Sequence, residues 1–157
     1  MPEQITELSV RDALIAQSLV EVVSASNRLT RYAARATGET ESPAVWRTLA
    51  VLRTSGPLRI GELAAESRVA QPTMTKIVRG LAESEWVLRI ADQEDARAWQ
   101  IAITAKGERA FQTWRARLGE AMLPLFSDLT DEEIEVLASA SALVHARIAG
   151  QLLTAGD

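Results

Sequence analysis

The chain has 157 residues, 47% of them hydrophobic and 24% charged, with a formal net charge of −4. That length and apolar content suit one compact domain with a real core and helical extensions, and no stretch reads as disordered. With no cysteine and one histidine, His145, disulfides, thiolate nucleophiles and zinc–cysteine sites are excluded, and any histidine-based triad must use that single residue.

No charge-free apolar run approaches the length of a bilayer span. Met1-Pro2-Glu3-Gln4 lacks the basic-then-apolar order of a signal peptide, so a cytoplasmic location is expected. The charge is unevenly spread. Between Arg53 and Gly80 stand Arg53, Arg59, Arg68, Lys76 and Arg79 against Glu62 and Glu66. From Gly119 onward stand Glu120, Asp128, Asp131, Glu132, Glu133, Glu135 and Asp157 against Arg147. A basic middle beside an acidic tail lets one surface face phosphates while another faces solvent, although chance fluctuation would look the same.

In chain order, the first expected element is a helix from about Ile5 to Ala36. Leu8, Ile15, Leu19, Val22, Leu29 and Ala33 fall on one face at about 100° per residue. Thr37-Gly38 breaks it. Ser42-Pro43 opens a second helix, with Ser42 as N-cap and Pro43 at the first position. Trp46, Leu49, Ala50 and Leu52 carry it to Ser55-Gly56-Pro57. A short helix from Glu62 to about Ser67, a turn through Arg68-Val69-Ala70 and a helix from Gln71 to about Ser84 outline a helix-turn-helix. The period then changes. Val87-Leu88-Arg89-Ile90 and Trp99-Gln100-Ile101-Ala102-Ile103 alternate around the polar stretch Asp92 to Asp95, as a hairpin does.

Thr104 is expected to cap a long helix from Ala105 to about Phe126, bent near Pro124. Thr130-Asp131-Glu132-Glu133 is a capping box opening a last helix to about Leu153. Ile134, Leu137, Leu143, Val144 and Ile148 are among its apolar positions. Long terminal helices more apolar than a small core needs are most simply used by pairing with a second copy.

The helix from Gln71 carries the most legible chemistry. With Gln71 at 0°, Thr75 lies at about 40°, Arg79 at about 80°, Pro72 at about 100° and Lys76 at about 140°. Met74, Ile77, Val78 and Leu81 fall on the opposite side. The outer face suits a major groove: Gln can bond adenine, Arg guanine, and a Thr methyl can meet thymine. Lys76 is better suited to a phosphate. An ordinary amphipathic surface helix would show the same pattern; the preceding tight turn and the following hairpin favour the groove reading. Arg97, just beyond Asp92-Gln93-Glu94-Asp95, could enter a narrow minor groove, with Asp95 holding its side chain. A plain surface salt bridge is the alternative.

Together these residues resemble the multiple-antibiotic-resistance regulator (MarR) family of bacterial winged-helix repressors. The similar stretch runs from Ser42 to Phe111. It includes Leu58-Arg59-Ile60-Gly61-Glu62-Leu63-Ala64, then Val69-Ala70-Gln71-Pro72-Thr73-Met74-Thr75 with Ile77, Val78 and Leu81 behind it. Its sharpest part is Asp92-Gln93-Glu94-Asp95-Ala96-Arg97 leading into Ile103-Thr104-Ala105-Lys106-Gly107. The resemblance implies a mainly α fold with a small β-hairpin, organised as one domain over 1–157. Residues 1–41 would form an N-terminal dimerisation helix, 42–104 the winged helix-turn-helix core, and 105–157 the C-terminal dimerisation helices. It further implies a homodimer on a pseudo-palindromic operator in double-stranded DNA, and repression relieved by a small ligand. Gln71, Pro72, Thr73, Thr75, Lys76 and Arg79 are carried over to the recognition helix, and Arg97 with Asp95 to the wing.

Three departures stand out. Ala70 sits where Ser or Thr would cap the recognition helix, a loss of roughly 1 kcal/mol, and Gly61 is expected to cap its own helix only weakly. Ser84-Glu85 replaces a Lys-Gly turn, so a non-Gly residue is expected in the left-handed cap. Trp99 stands where many members carry a second wing arginine, which implies a weaker electrostatic grip and an indole packed inward.

Cysteine-based oxidant sensing is impossible in this chain. Other members bind phenolic or carboxylate ligands, and Trp46 with Arg53, at i and i+7, could supply an aromatic wall and a cation for an aromatic or carboxylate effector; core packing and a solvated charge are the simpler explanation of the pair. Trp114 is similarly ambiguous. His145, on an apolar helix, reads as an interface or core residue, and the acids from Asp131 to Glu135 as a response to the helix dipole rather than a metal site. With no nucleophile–base pair, glycine-rich phosphate loop or paired carboxylates, no enzyme activity and no cofactor are expected. The competing reading is a winged-helix protein-interaction module without DNA binding, which the three departures would suit.

Overall fold

A computed structural model describes residues 9–93, 95 and 97–154, the side chains of 150–154 excepted. The expected helix start at residues 5–8, and Glu94 and Ala96 in the expected turn, lie outside the described residues. The chain divides into two compact units, residues 1–122 and 123–157. The first contains α1 (Val10–Thr37), α2 (Pro43–Ser55), β1 (Leu58–Arg59), α3 (Ile60–Glu66), α4 (Gln71–Glu83), β2 (Val87–Ala91), β3 (Trp99–Ile103) and α5 (Ala105–Met122). The second contains a 3-10 turn, Leu123–Leu125, and α6 (Asp131–Thr154).

Local chemistry accounts for most of the boundaries. The Ser9 hydroxyl oxygen accepts the Asp12 N–H (3.1 Å), capping α1, and Gly38 ends it with φ 61°. On the expected apolar face of α1, Ile15, Leu19 and Val22 remain 44%, 51% and 48% exposed, whereas Ala33 is fully buried. The C-terminal part of α1 packs on α5, and Arg117 Nη2 donates to the Thr37 carbonyl at 3.1 Å. The Ser42 side chain makes no capping bond. Pro43 at the first position, with its preset φ, starts α2 instead, while the Ser42 carbonyl accepts from the Val45 N–H (3.0 Å).

The expected hairpin is a three-stranded antiparallel sheet in the order β1-β3-β2. Leu58 pairs with Ile101 and Arg59 with Gln100; a strand of two residues is too short to leave an alternating pattern in the sequence. This strand also moves the start of α3. Arg59 becomes the N-cap, its N–H bonded to the Glu62 carboxylate at 2.8 Å, and Gly61, expected as a weak cap, lies inside the first turn.

One core joins these elements. Trp46, Leu49 and Leu52 from α2, Leu63 and Ala64 from α3, Met74, Val78 and Leu81 from α4, Val87, Ile101 and Phe111 form a contiguous buried cluster. Three helices backed by a small sheet whose β2–β3 loop projects beyond them make a winged helix-turn-helix. In the second unit, the predicted capping box is present: Glu133 accepts from the Thr130 N–H (2.9 Å), and the Thr130 hydroxyl accepts from the Glu133 N–H (3.3 Å). Along α6, Ile134, Leu137, Leu143 and Ile148 are half or more exposed. Among the described residues, no helix is long and apolar enough to cross a membrane.

The Thr104-x-x-Gly107 motif has a clear physical role. The Thr104 hydroxyl oxygen caps α5 by accepting the Gly107 N–H (3.0 Å) and donates its own proton to the Glu85 carbonyl (2.7 Å). A Cβ on Gly107 would collide with the Trp86 carbonyl. Gly107→Ala should therefore destabilise the fold by about 1–3 kcal/mol, as overpacking does. An unchanged denaturation midpoint would mean that the Trp86 backbone yields freely.

Candidate nucleic-acid interface

Helix α4 is anchored from one side and bare on the other. Met74 is fully buried, Val78 and Leu81 are 3% exposed, and Ile77 is half-buried. Gln71, Pro72, Thr73, Thr75, Lys76 and Arg79 are all exposed. The Thr75 hydroxyl donates to the Gln71 carbonyl one turn back (3.0 Å), so its methyl and lone pairs are what it offers outward. Ala70 is the N-cap and makes no side-chain cap bond. Helix continuity there rests on the Ala70 carbonyl, which accepts from the Met74 N–H at 3.0 Å.

Both turns flanking α4 use a non-glycine residue in the left-handed region. Arg68 has φ 56° and Glu85 φ 61°. At each, the next residue's N–H closes back on the preceding helix: Val69 to the Ala64 carbonyl (3.0 Å) and Trp86 to the Leu81 carbonyl (2.8 Å). The strain is held by cross-links. Arg47 Nη1 donates to the carbonyl of fully buried Ser67 (3.1 Å). Glu85 is pinned by Thr104 and by Lys106, whose Nζ donates to its carboxylate at 2.6 Å. That hydrogen bond, and secondarily the Lys106 charge, holds the Glu85 carboxyl below its ordinary pKa. The non-glycine cap expected at Ser84-Glu85 is thus Glu85 itself. The one at Arg68 carries no glycine signal and was not foreseen.

The loop between β2 and β3 is built on a partly buried ion pair that sequence reading missed. Asp92, its side chain 3% exposed, accepts from Arg59 Nε at 2.7 Å. The Arg59 guanidinium is pushed above its ordinary pKa first by that hydrogen bond and then by the Asp92 charge. The other Asp92 oxygen accepts from the Asp95 N–H (3.1 Å), and Asp95 Oδ1 accepts from the Arg97 N–H (2.9 Å). Asp95 therefore fixes the Arg97 backbone, rather than the guanidinium as expected, and the Arg97 side chain is exposed. Arg59 and Asp92 are 33 positions apart, so no local pattern could pair them; only their membership of the basic middle and the acidic turn was visible. Trp99 contradicts expectation. Instead of packing inward it is 58% exposed, because the core face of β3 is filled from Ile101 inward and Trp99 stands beyond its edge.

Trp46 and Arg53, the expected effector residues, are engaged by the protein itself. Trp46 is 6% exposed, stacked on Trp114 at 4.8 Å and tilted against Trp86 at 5.5 Å. A ligand would have to displace one of those rings to use it as a wall. Arg53 pairs with Glu108 (2.7 Å) and lies over the Phe111 ring at 4.7 Å. His145 is exposed on α6.

Taken together, an amphipathic second helix after a tight turn, flanked by a sheet with a braced loop, defines a winged helix-turn-helix protein. Residues 42–99 of the chain match the model of the MarR family. It is 33% identical over 89 residues to the HTH-type transcriptional regulator YpoP of Bacillus subtilis, a match spanning 57% of this chain and 63%, less than two thirds, of that relative's length. Its fold is similar to a MarR family protein from Bacillus stearothermophilus, with TM-score 0.63 and 22% identity, covering 90% of this chain and 99% of that one. It is similar also to the transcriptional regulator Tm0710 from Thermotoga maritima, with TM-score 0.67 and 22% identity, covering 87% and 97%. At those identities the likeness is one of fold.

Because Asp92 ties the loop to β1, Asp92→Ala should loosen the wing and lower the thermal unfolding midpoint. It should also speed amide hydrogen exchange at Asp95 and Arg97. Exchange at wild-type rates would show that the loop stands without the Arg59 brace.

Proposed function

We propose that this protein is a sequence-specific, double-stranded-DNA-binding transcriptional regulator, acting in the cytoplasm as a homodimer on a pseudo-palindromic operator and repressing until a small molecule releases it. The observation that carries this reading is the outward set on α4. Gln71, Thr75, Lys76 and Arg79 are exposed together, while Met74, Val78 and Leu81 hold the helix from behind. In that geometry Gln71 and Arg79 meet base edges, Lys76 and Thr73 meet phosphates, and Thr75 turns its methyl toward a thymine. Arg97 reaches into the adjoining minor groove, with Asp95 positioning its backbone.

Dimerisation is supported by apolar residues on the long helices that the protomer leaves in water. Leu14, Val20 and Val23 on α1 are 65%, 64% and 60% exposed, and Val136 and Leu143 on α6 are 69% and 58% exposed. Side chains of this kind in such number exceed the scatter normal for a monomer's surface. Ligand release is supported by a groove of about 500 Å³ behind α4, lined by Glu41, Val45, Lys76, Ile77, Leu81 and Trp86. An occupant there would touch Lys76, one of the residues proposed to meet the operator, so this groove is a candidate effector site beside the pair Trp46 and Arg53.

Two substitutions test the DNA reading against a duplex selected from a random pool by the protein itself. Arg79→Ala should change the selected sequence as well as weaken binding, by about 1–3 kcal/mol for a bidentate base contact. Recovery of the same site at the same strength would remove Arg79 from base reading. Arg97→Ala should lower affinity and reduce the slope of log K against log salt by about 1; an unchanged slope would take the wing off the DNA.

A further inference from the structure

Of the four tryptophans, Trp46, Trp86 and Trp114 lie in one cluster, Trp114 stacked on Trp46 and Trp86 tilted against it. Trp99 does not. It is 58% exposed, at the first position of β3, two residues beyond Arg97. Across the sheet it pairs with Ala91, itself exposed and too short to cover an indole. Opposed residues of an antiparallel pair share a face, so Arg89, paired with Ile101, stands on the same face as Trp99 one step inward, and it too is exposed. Of the acids among the described residues of the loop, Asp92 is paired with Arg59, and Asp95 accepts the Arg97 N–H. What this edge of the wing presents outward is therefore an aromatic ring flanked by Arg89 and Arg97.

An indole is a large, rigid apolar plate with one N–H donor and few rotamers to freeze, which makes it effective where a surface is to be desolvated. Flanking cations oppose an apolar or basic protein surface and suit a polyanion. We propose that Trp99 is a DNA-contact residue. Its ring packs on the deoxyribose wall of the minor groove that Arg97 enters, and its N–H donates to a phosphate oxygen. The ring senses groove width rather than base identity, supplying by apolar contact what a second wing cation would supply by charge. This rests on the DNA-binding function proposed above.

The test uses the full-length protein and the duplex it selects. Because the other three tryptophans are buried or half-buried against one another, the emission that acrylamide quenches most readily is that of Trp99, an assignment checked by its loss in Trp99→Phe. On adding duplex, this component should become protected from acrylamide. Trp99→Ala should bind about tenfold more weakly, equivalent to about 1.4 kcal/mol, with an unaltered salt slope, because no ion pair is lost, and with a wild-type thermal unfolding midpoint. Arg97→Ala, in contrast, should change the slope. If the protein binds its duplex while Trp99 stays equally quenchable and Trp99→Ala binds as tightly as wild type, the proposal is overturned and the regulator reading stands. If no duplex is bound at all, both fall.

Discussion

Met74, Val78 and Leu81 set the constraint on which the rest of this molecule depends: a helix that reads another molecule must itself be immobile. Three side chains nearly sealed from water, one per turn, leave α4 no freedom to roll. The turns at either end remove its freedom to slide. Arg68 and Glu85 occupy backbone conformations that cost a non-glycine residue something of order 1 kcal/mol. Each is retained because a distant group, Arg47 in one case and Thr104 with Lys106 in the other, bonds to the turn. Gly107 completes this support by letting the Trp86 carbonyl approach the start of α5 more closely than any side chain would allow.

The wing is organised by the same economy of contacts at longer range. A hairpin loop with several acids is a poor approach to a polyanion unless its carboxylates are engaged. Here Asp92 turns inward to Arg59, and Asp95 turns back onto the main chain. The loop is thus rigid at its base, and Arg97 is left as an outward cation beside an exposed Trp99. Arg59 serves three elements: strand partner of Gln100, N-cap of α3 and brace of the wing. Through it the start of α3 and the loop of the wing share one support.

Apolar side chains are divided unequally along the chain. The winged core buries its own, and α1 becomes buried only toward its C-terminal end, where it meets α5. The remainder of α1, and α6 considered by itself, keep leucines, isoleucines and valines in water. An apolar surface of this kind is stable in association, which is why the proposed regulator is read as a pair of chains rather than one.

Periodicity and punctuation were enough to read α4, its two faces, the β2–β3 pairing, the Thr130–Glu133 capping box and the family resemblance, because each depends on residues within one or two helical turns or on a strand's alternation. The turn at Glu85 was legible for the same reason. Other features depend on where separate segments meet. The two-residue β1, the shift of the α3 start to Ile60, the Arg59–Asp92 brace and the enclosure of Trp46 by Trp86 and Trp114 all join positions far apart in the chain. The exposure of Trp99 is of this kind too: the family comparison implied an inward indole, and only the limited extent of the core decided that nothing would cover it. Local sequence determines which way a side chain points; tertiary packing decides what, if anything, is there to meet it.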